Sequence, residues 1–280
     1  MNYKTIVVSL DNSKNLENRL SFAISLALEH GAHLVGMHLS QYFVPYISYD
    51  GVAVLIAEIE GQVKIAQDKA KLLFETMTKK FGISASWLAF DSRNEEIALL
   101  HARSADLMII EQNDKNDDDS FVMEDFPESF VLGTGKPILL LPSQNQKQSK
   151  VSFENIAIAW SGERESARAV ADALPWLKKA KNVYVLYVDS KDKSLEAQQA
   201  IMAIEAYLKR HEVHAQFITC ESPHSRSAIG QSILAKAVEH QADLVVMGAY
   251  GHSRLTELML GGVTRTILQE TLSLPVFMSH

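Results

Sequence analysis

The chain has a single cysteine, Cys220, and so no means of closing an internal disulfide. No apolar run approaches the ~20 residues that a membrane helix needs; stretches such as 137–142 and 244–247 are far shorter. The N-terminus, Met1-Asn2-Tyr3-Lys4, enters a β-like run at once, without the basic, apolar and small-residue segments of an export signal. These absences lead to the expectation of a protein in the reducing cytoplasm that does not enter a membrane, with Cys220, at the end of an expected strand, a buried structural thiol rather than a reactive one. Clusters of Lys and Arg are missing as well, and the formal net charge is −7. That sets aside a general nucleic-acid binder, because phosphate backbones are held mainly by such clusters.

What is present is the balance of a globular protein: 47% apolar and 22% charged residues over 280 positions, enough for two domains each burying a core. An internal repeat supports that division. Ile6-Val7-Val8-Ser9-Leu10-Asp11 matches Ile156-Ala157-Ile158-Ala159-Trp160-Ser161; Ala105-Asp106-Leu107-Met108-Ile109-Ile110 matches Ala242-Asp243-Leu244-Val245-Val246-Met247; Lys136-Pro137-Ile138-Leu139 matches Leu274-Pro275-Val276-Phe277. The pairs occur in the same order, and a duplication accounts for them.

Short apolar runs alternate with amphipathic stretches of helical period, the pattern of a parallel sheet covered on both faces. In the first copy strands are expected near 5–10, 33–39, 84–90, 106–111 and 137–141, with helices near 15–29, 54–80, 94–103 and 127–132. In the second, strands are expected near 155–160, 183–188, 214–219, 244–247 and 276–278, with helices near 164–180, 193–211, 227–240 and 263–271. The fold class is therefore α/β: two tandem, doubly wound, Rossmann-like domains, each with a five-stranded parallel sheet and a ligand site past the carboxyl ends of its strands. Domain 1 spans 1–142 and domain 2 spans 151–280. Residues 143–150, with Gln144, Gln146, Lys147 and Gln148, read as a linker short enough to keep the domains packed together.

Only the second copy carries a glycine-rich loop after its fourth strand: Gly248-Ala249-Tyr250-Gly251, nine residues from His252 to Leu260, then Gly261-Gly262-Val263-Thr264. Glycines let a backbone approach an anion closely, and N–H groups at a helix start donate to it. His252, Arg254 and Arg265 are candidates to meet a phosphate, with His224, Ser225 and Arg226 behind them. The first copy has Glu111-Gln112-Asn113-Asp114 and the acidic run Asp117-Asp118-Asp119 at that place, where a phosphate would meet repulsion. That run lacks the spaced ligands and glycine turn of a calcium loop and reads as solvated. The aromatic run Gln41-Tyr42-Phe43-Val44-Pro45-Tyr46 either forms an apolar surface near the first copy's site or tucks under the helix that follows.

The loop resembles that of the universal stress protein family, whose nucleotide-binding members carry Gly-x-x-Gly, nine residues, then Gly-Ser or Gly-Thr. Gly262 departs from the pattern by standing where the family has a hydroxyl, a loss of ~1 kcal/mol of binding. The resemblance extends over the chain and implies an adenine nucleotide alpha hydrolase-like fold, ATP or AMP as ligand with Mg possible beside it, and pairing of domains through the last strand. It places the nucleotide against Ala159, Trp160, Ser161, Val188, Met247 and Gly248, with Gly251, His252, Gly261, Gly262, Val263 and Thr264 in the loop. It also implies an acidic residue closing the first strand; the first copy has it in Asp11-Asn12-Ser13, whereas the second has Ser161-Gly162-Glu163. His38 stands where the family often has histidine, with packing as its expected role.

Three functions remain open. The first is a stress-response sensor or adaptor whose dealings with protein partners change when ATP or AMP occupies domain 2. The second is a slow ATP hydrolase, against which stands the lack of a Gly-x-x-x-x-Gly-Lys-Ser loop, of a nucleophile–base–orienter set, and of the Ser-Gly-Gly-x-Asp-Ser and His-x-Gly-His signatures of related α/β enzymes. The third is an interaction protein whose two sites are relics. Association of two chains into a homodimer is left open.

Overall fold

A computed structural model describes residues 3–40, 52–112, 126–143, 152–188, 195–220, 226–250, 262–269 and 272–280. The first half contains β1 (Thr5–Leu10), α1 (Leu16–His30), β2 (His33–Ser40), α2 (Val52–Phe81), β3 (Ala85–Asp91), α3 (Glu95–Ala102), β4 (Leu107–Glu111), α4 (Phe126–Gly133) and β5 (Ile138–Leu141). The second contains β6 (Asn155–Ala159), α5 (Arg164–Leu177), β7 (Asn182–Val188), α6 (Leu195–Arg210), β8 (Ala215–Cys220), α7 (Arg226–Glu239), β9 (Leu244–Gly248), α8 (Val263–Gln269) and β10 (Val276–Ser279). Among these elements α5 ends at Leu177, short of the expected 180, with Pro175 in its last turn.

The strands form one sheet in the order β3-β2-β1-β4-β5-β10-β9-β6-β7-β8. Within each half the pairing is parallel, and the halves meet where β5 and β10 pair antiparallel, with Leu140 opposite Val276 and Leu139 opposite Phe277. The side-chain period of two then feeds both faces at the seam. Leu139 and Phe277 join an apolar layer that also holds Ile6, Ile156 and Trp176; Leu140, Val276 and Met278 join the opposite layer with Val7 and Met108. Each layer thus runs from one half into the other, so the two cores expected from length are joined. Tyr3 reinforces the join: its hydroxyl donates to the Asp172 carbonyl at 3.0 Å and its ring meets Trp176 edge-on.

The repeated Ala-Asp-Leu has one structural job in both halves. Asp106 accepts hydrogen bonds from the Lys4 and Thr5 backbone at 2.7 and 2.9 Å, and Asp243 accepts from Glu154 and Asn155 at 2.8 and 3.1 Å. Each carboxylate clips the start of its half's first strand to the start of its fourth. Helix α1 stops at Gly31, whose φ of +59° suits a residue without Cβ and closes the last turn. No described helix is long and apolar enough to cross a membrane.

Candidate functional site

In the second half β6 leads to β7 on one side, while β9 lies on the other, so the strand order reverses between β6 and β9. A crevice opens at the carboxyl ends of such neighbours because the connecting helices leave on opposite faces of the sheet. Here it is a cleft of about 310 Å³. Its apolar walls are Ala159, Leu186, Val188 and Met247 from the strands and Ile229, Ile233 and Val263 from α7 and α8; Trp160, Ser161, Glu163, Glu165, Ser166, Gly248 and Thr264 complete it.

Gly248 is set by close approach rather than by φ. A Cβ there would lie 2.4 Å from the Ser166 nitrogen and 2.8 Å from the Glu165 Cβ, so the first turn of α5 rests directly on the end of β9. Ser161 organises that turn: its hydroxyl accepts from the Glu163 N–H at 3.2 Å and contacts the Ser166 hydroxyl at 3.1 Å, while Gly162 takes φ +79°. Glu165 is buried and accepts from the Arg164 guanidinium. Burial raises its pKa, but Arg164, a backbone hydrogen bond and His280 together hold the carboxyl below its ordinary value. Across the cleft, the Thr264 hydroxyl accepts from the Tyr250 N–H at 3.0 Å. Tyr250 has φ +56°, a conformation that costs a non-glycine residue about 1–3 kcal/mol and needs such a tether.

Of the positions named from sequence, Ala159, Trp160, Ser161, Val188, Met247, Gly248, Val263 and Thr264 surround this cleft. Gly262 lies buried just before α8, its carbonyl accepting from Thr266. Gly251, His252, Arg254 and Gly261 fall outside the described residues, as do His224, Ser225, Asp117-Asp118-Asp119 and the 41–46 run. Among the described residues no group of three metal-ligating side chains is assembled. Leu186, Glu165, Ser166, Ile229 and Ile233 were not foreseen. The last two belong to α7, whose apolar positions serve packing and cleft alike and look the same in sequence.

At the corresponding strand ends of the first half the described side chains form an ion cluster. Asp11 ends up beside Arg19, Nη2 to carboxylate 2.6 Å, and Arg19 Nη1 donates to Glu111 at 2.6 Å, with all three residues largely buried. Asn15 adds a hydrogen bond to Glu111 at 3.3 Å and another to the Ser143 carbonyl. The gap bounded by Asp11, His38, Ser40, Val63 and Ala66 leaves no room for a water molecule. Burial works against the Asp11 carboxylate, yet Arg19 and Ser13 hold its pKa below the ordinary value. Burial, aided by Asp11 and opposed by Arg19, pushes the Glu111 carboxyl up to about 7. Arg19 escaped sequence reading, although a charge in the buried stripe Leu16, Leu20, Ala23 and Ala27 was its signal. His38 is buried against Trp87, centroids 6.0 Å apart, and burial pushes its pKa down to about 4. Cys220 is buried too, with its thiol pKa raised by burial.

No curated protein sequence matches the chain. Among solved structures, a universal stress protein from Archaeoglobus fulgidus DSM 4304 superposes with a TM-score of 0.68 at 16% identity, covering 98% of this chain and 95% of that one. A putative universal stress protein from Pseudomonas aeruginosa UCBPP-PA14 gives 0.62 at 17%, covering 99% and 93%. A functionally unknown protein from Pseudomonas aeruginosa PAO1 gives 0.62 at 17%, covering 99% and 92%. These likenesses establish the α/β fold over nearly the whole chain. The model of the universal stress protein family matches residues 152–278. The half of the chain that holds the open cleft is therefore a universal stress protein family domain.

Proposed function

We propose that the second half binds ATP or AMP in the cleft between β6 and β9, and that occupancy alters how the protein meets its partners during a cytoplasmic stress response. The observation that carries this reading is the convergence of eight sequence-named positions on one open cleft at the strand reversal. Its volume of about 310 Å³ lies in the range of small-molecule sites. The apolar walls suit a purine ring. Ser161, Ser166 and Thr264 offer hydroxyls to the polar remainder, and Mg²⁺, a hard cation, would travel on the phosphates of ATP.

Mass spectrometry of small molecules released from purified protein, followed by calorimetric titration with ATP and AMP, tests the reading. Adenine nucleotide carried over, or bound at micromolar concentration, supports it. Neither carry-over nor binding of either nucleotide at millimolar concentration overturns it.

A second reading, a nucleotide-independent interaction protein, draws on Glu163 and Glu165, two carboxylates in the cleft where no Lys or Arg is among the described lining residues. Partner capture that is the same with and without nucleotide would favour it. Hydrolysis stays the weakest reading, because among the described residues no base and orienting group are assembled there; turnover abolished by Gly251→Trp would revive it.

A further inference from the structure

The residue after Glu111 reaches across the seam. Gln112 is buried, and its backbone N–H donates to the Leu141 carbonyl at 2.9 Å. Its side chain leaves the first half altogether. Nε2 donates to the Leu268 carbonyl at 3.0 Å and the Ile267 carbonyl at 3.3 Å, and Oε1 accepts from the Leu272 N–H at 3.1 Å.

The last carbonyls of any helix lack partners within it. Helix α8 has only seven residues, too short to be stable without external support. One amide from the other half thus satisfies two of its terminal carbonyls and the chain that leaves it. The other end of α8 contributes Val263 and Thr264 to the cleft, and Thr264 tethers Tyr250 at the entrance to the glycine loop. A continuous set of contacts therefore runs from Gln112 through α8 to the cleft wall. At the matching place in the second half stands Ala249, whose N–H donates to the Ser279 carbonyl at 2.9 Å but which has no side-chain amide to extend.

We infer that Gln112 is a positioning residue for the second half's ligand cleft, so that the first half completes its neighbour's site. The affinity consequence rests on the nucleotide reading above; the mechanical one does not.

The test uses the full chain with Gln112→Ala, with Ile6→Val as a first-half core truncation far from α8, and reads per-residue amide exchange together with AMP titration. In Gln112→Ala the Tyr250 amide, which Gln112 never touches, exchanges at least tenfold faster, and the AMP dissociation constant rises about tenfold. In Ile6→Val neither changes beyond what the shift in global unfolding produces. Tyr250 exchange unchanged in Gln112→Ala, or raised equally in Ile6→Val, overturns the inference. If the wild type binds neither AMP nor, in a parallel titration, ATP, the nucleotide reading fails, while the exchange of Tyr250 still decides the role of Gln112.

Discussion

Arg19 donates to Glu111 across 2.6 Å at the strand end where the second half has Gly248. The two halves treat one topological position in opposite ways. One fills it with a buried ion cluster, and the other clears it so that a helix can approach and a cleft can open beside it.

Removing the cation from that cluster strands two carboxylates. Arg19→Met is expected to destabilise the protein by about 3–5 kcal/mol, because an uncompensated buried charge costs far more than the pair contributes. Arg19→Met combined with Glu111→Gln should recover part of the loss. Urea unfolding at pH 8 measures both.

Glu111 also predicts a pH dependence with a definite sign. Its carboxyl titrates near 7 in the folded protein and near the ordinary 4.5 when unfolded, so between those values the folded state holds the extra proton. The stability it contributes is complete below pH 4.5 and is lost as pH rises towards 7. His38 works oppositely in an overlapping window: its folded value of about 4 lies below the ordinary 6.5, so its contribution is lost as pH falls. The wild type alone therefore mixes the two. The difference between wild type and Glu111→Gln isolates the first, and wild type should lose ground to the variant from pH 5 to pH 8.

Gly248→Ala tests the close packing of α5 on β9. A methyl group 2.4 Å from the Ser166 nitrogen must push the first turn of α5 away, at a cost of about 1–3 kcal/mol for overpacking. Thermal unfolding reports the cost, and nucleotide titration should show weaker binding, since Glu165 and Ser166 share the cleft.

Ile229→Trp separates cleft from fold. Ile229 is half-buried on α7 and lines the cleft, so a larger ring there has room to enter the open volume without invading the core. Nucleotide binding should fall at least tenfold with the unfolding midpoint little changed. Unaltered binding would place the ligand elsewhere.

Much of this architecture was legible in the chain. Alternating apolar runs located all ten strands to within a residue or two at most ends, and the match of Ala105-Asp106 with Ala242-Asp243 marked the repeat, though not the clip that the two carboxylates form. Gly248 stood out as the first residue of the glycine-rich loop, read for approach to a phosphate, whereas the structure shows the first turn of α5 resting on it. Arg19, Gln112, Ile229 and Ile233 were not legible as site or coupling residues. Ile229 and Ile233 lie in a pattern that serves packing equally well, and Arg19 and Gln112 act through Glu111 and through α8, 92 and 155 positions away.

The α/β class, the repeated order of elements and the glycine-bearing strand end can be read from the chain alone, because they follow from local periodicity and from where the backbone lacks a Cβ. Contacts in three dimensions add that β5 and β10 join the halves into one sheet, that Arg19 bridges Asp11 and Glu111 at one set of strand ends while a cleft opens at the other, and that Gln112 supports a helix of the opposite half. Those outcomes depend on contacts between distant segments, and local pattern carries no record of which buried polar group will meet which.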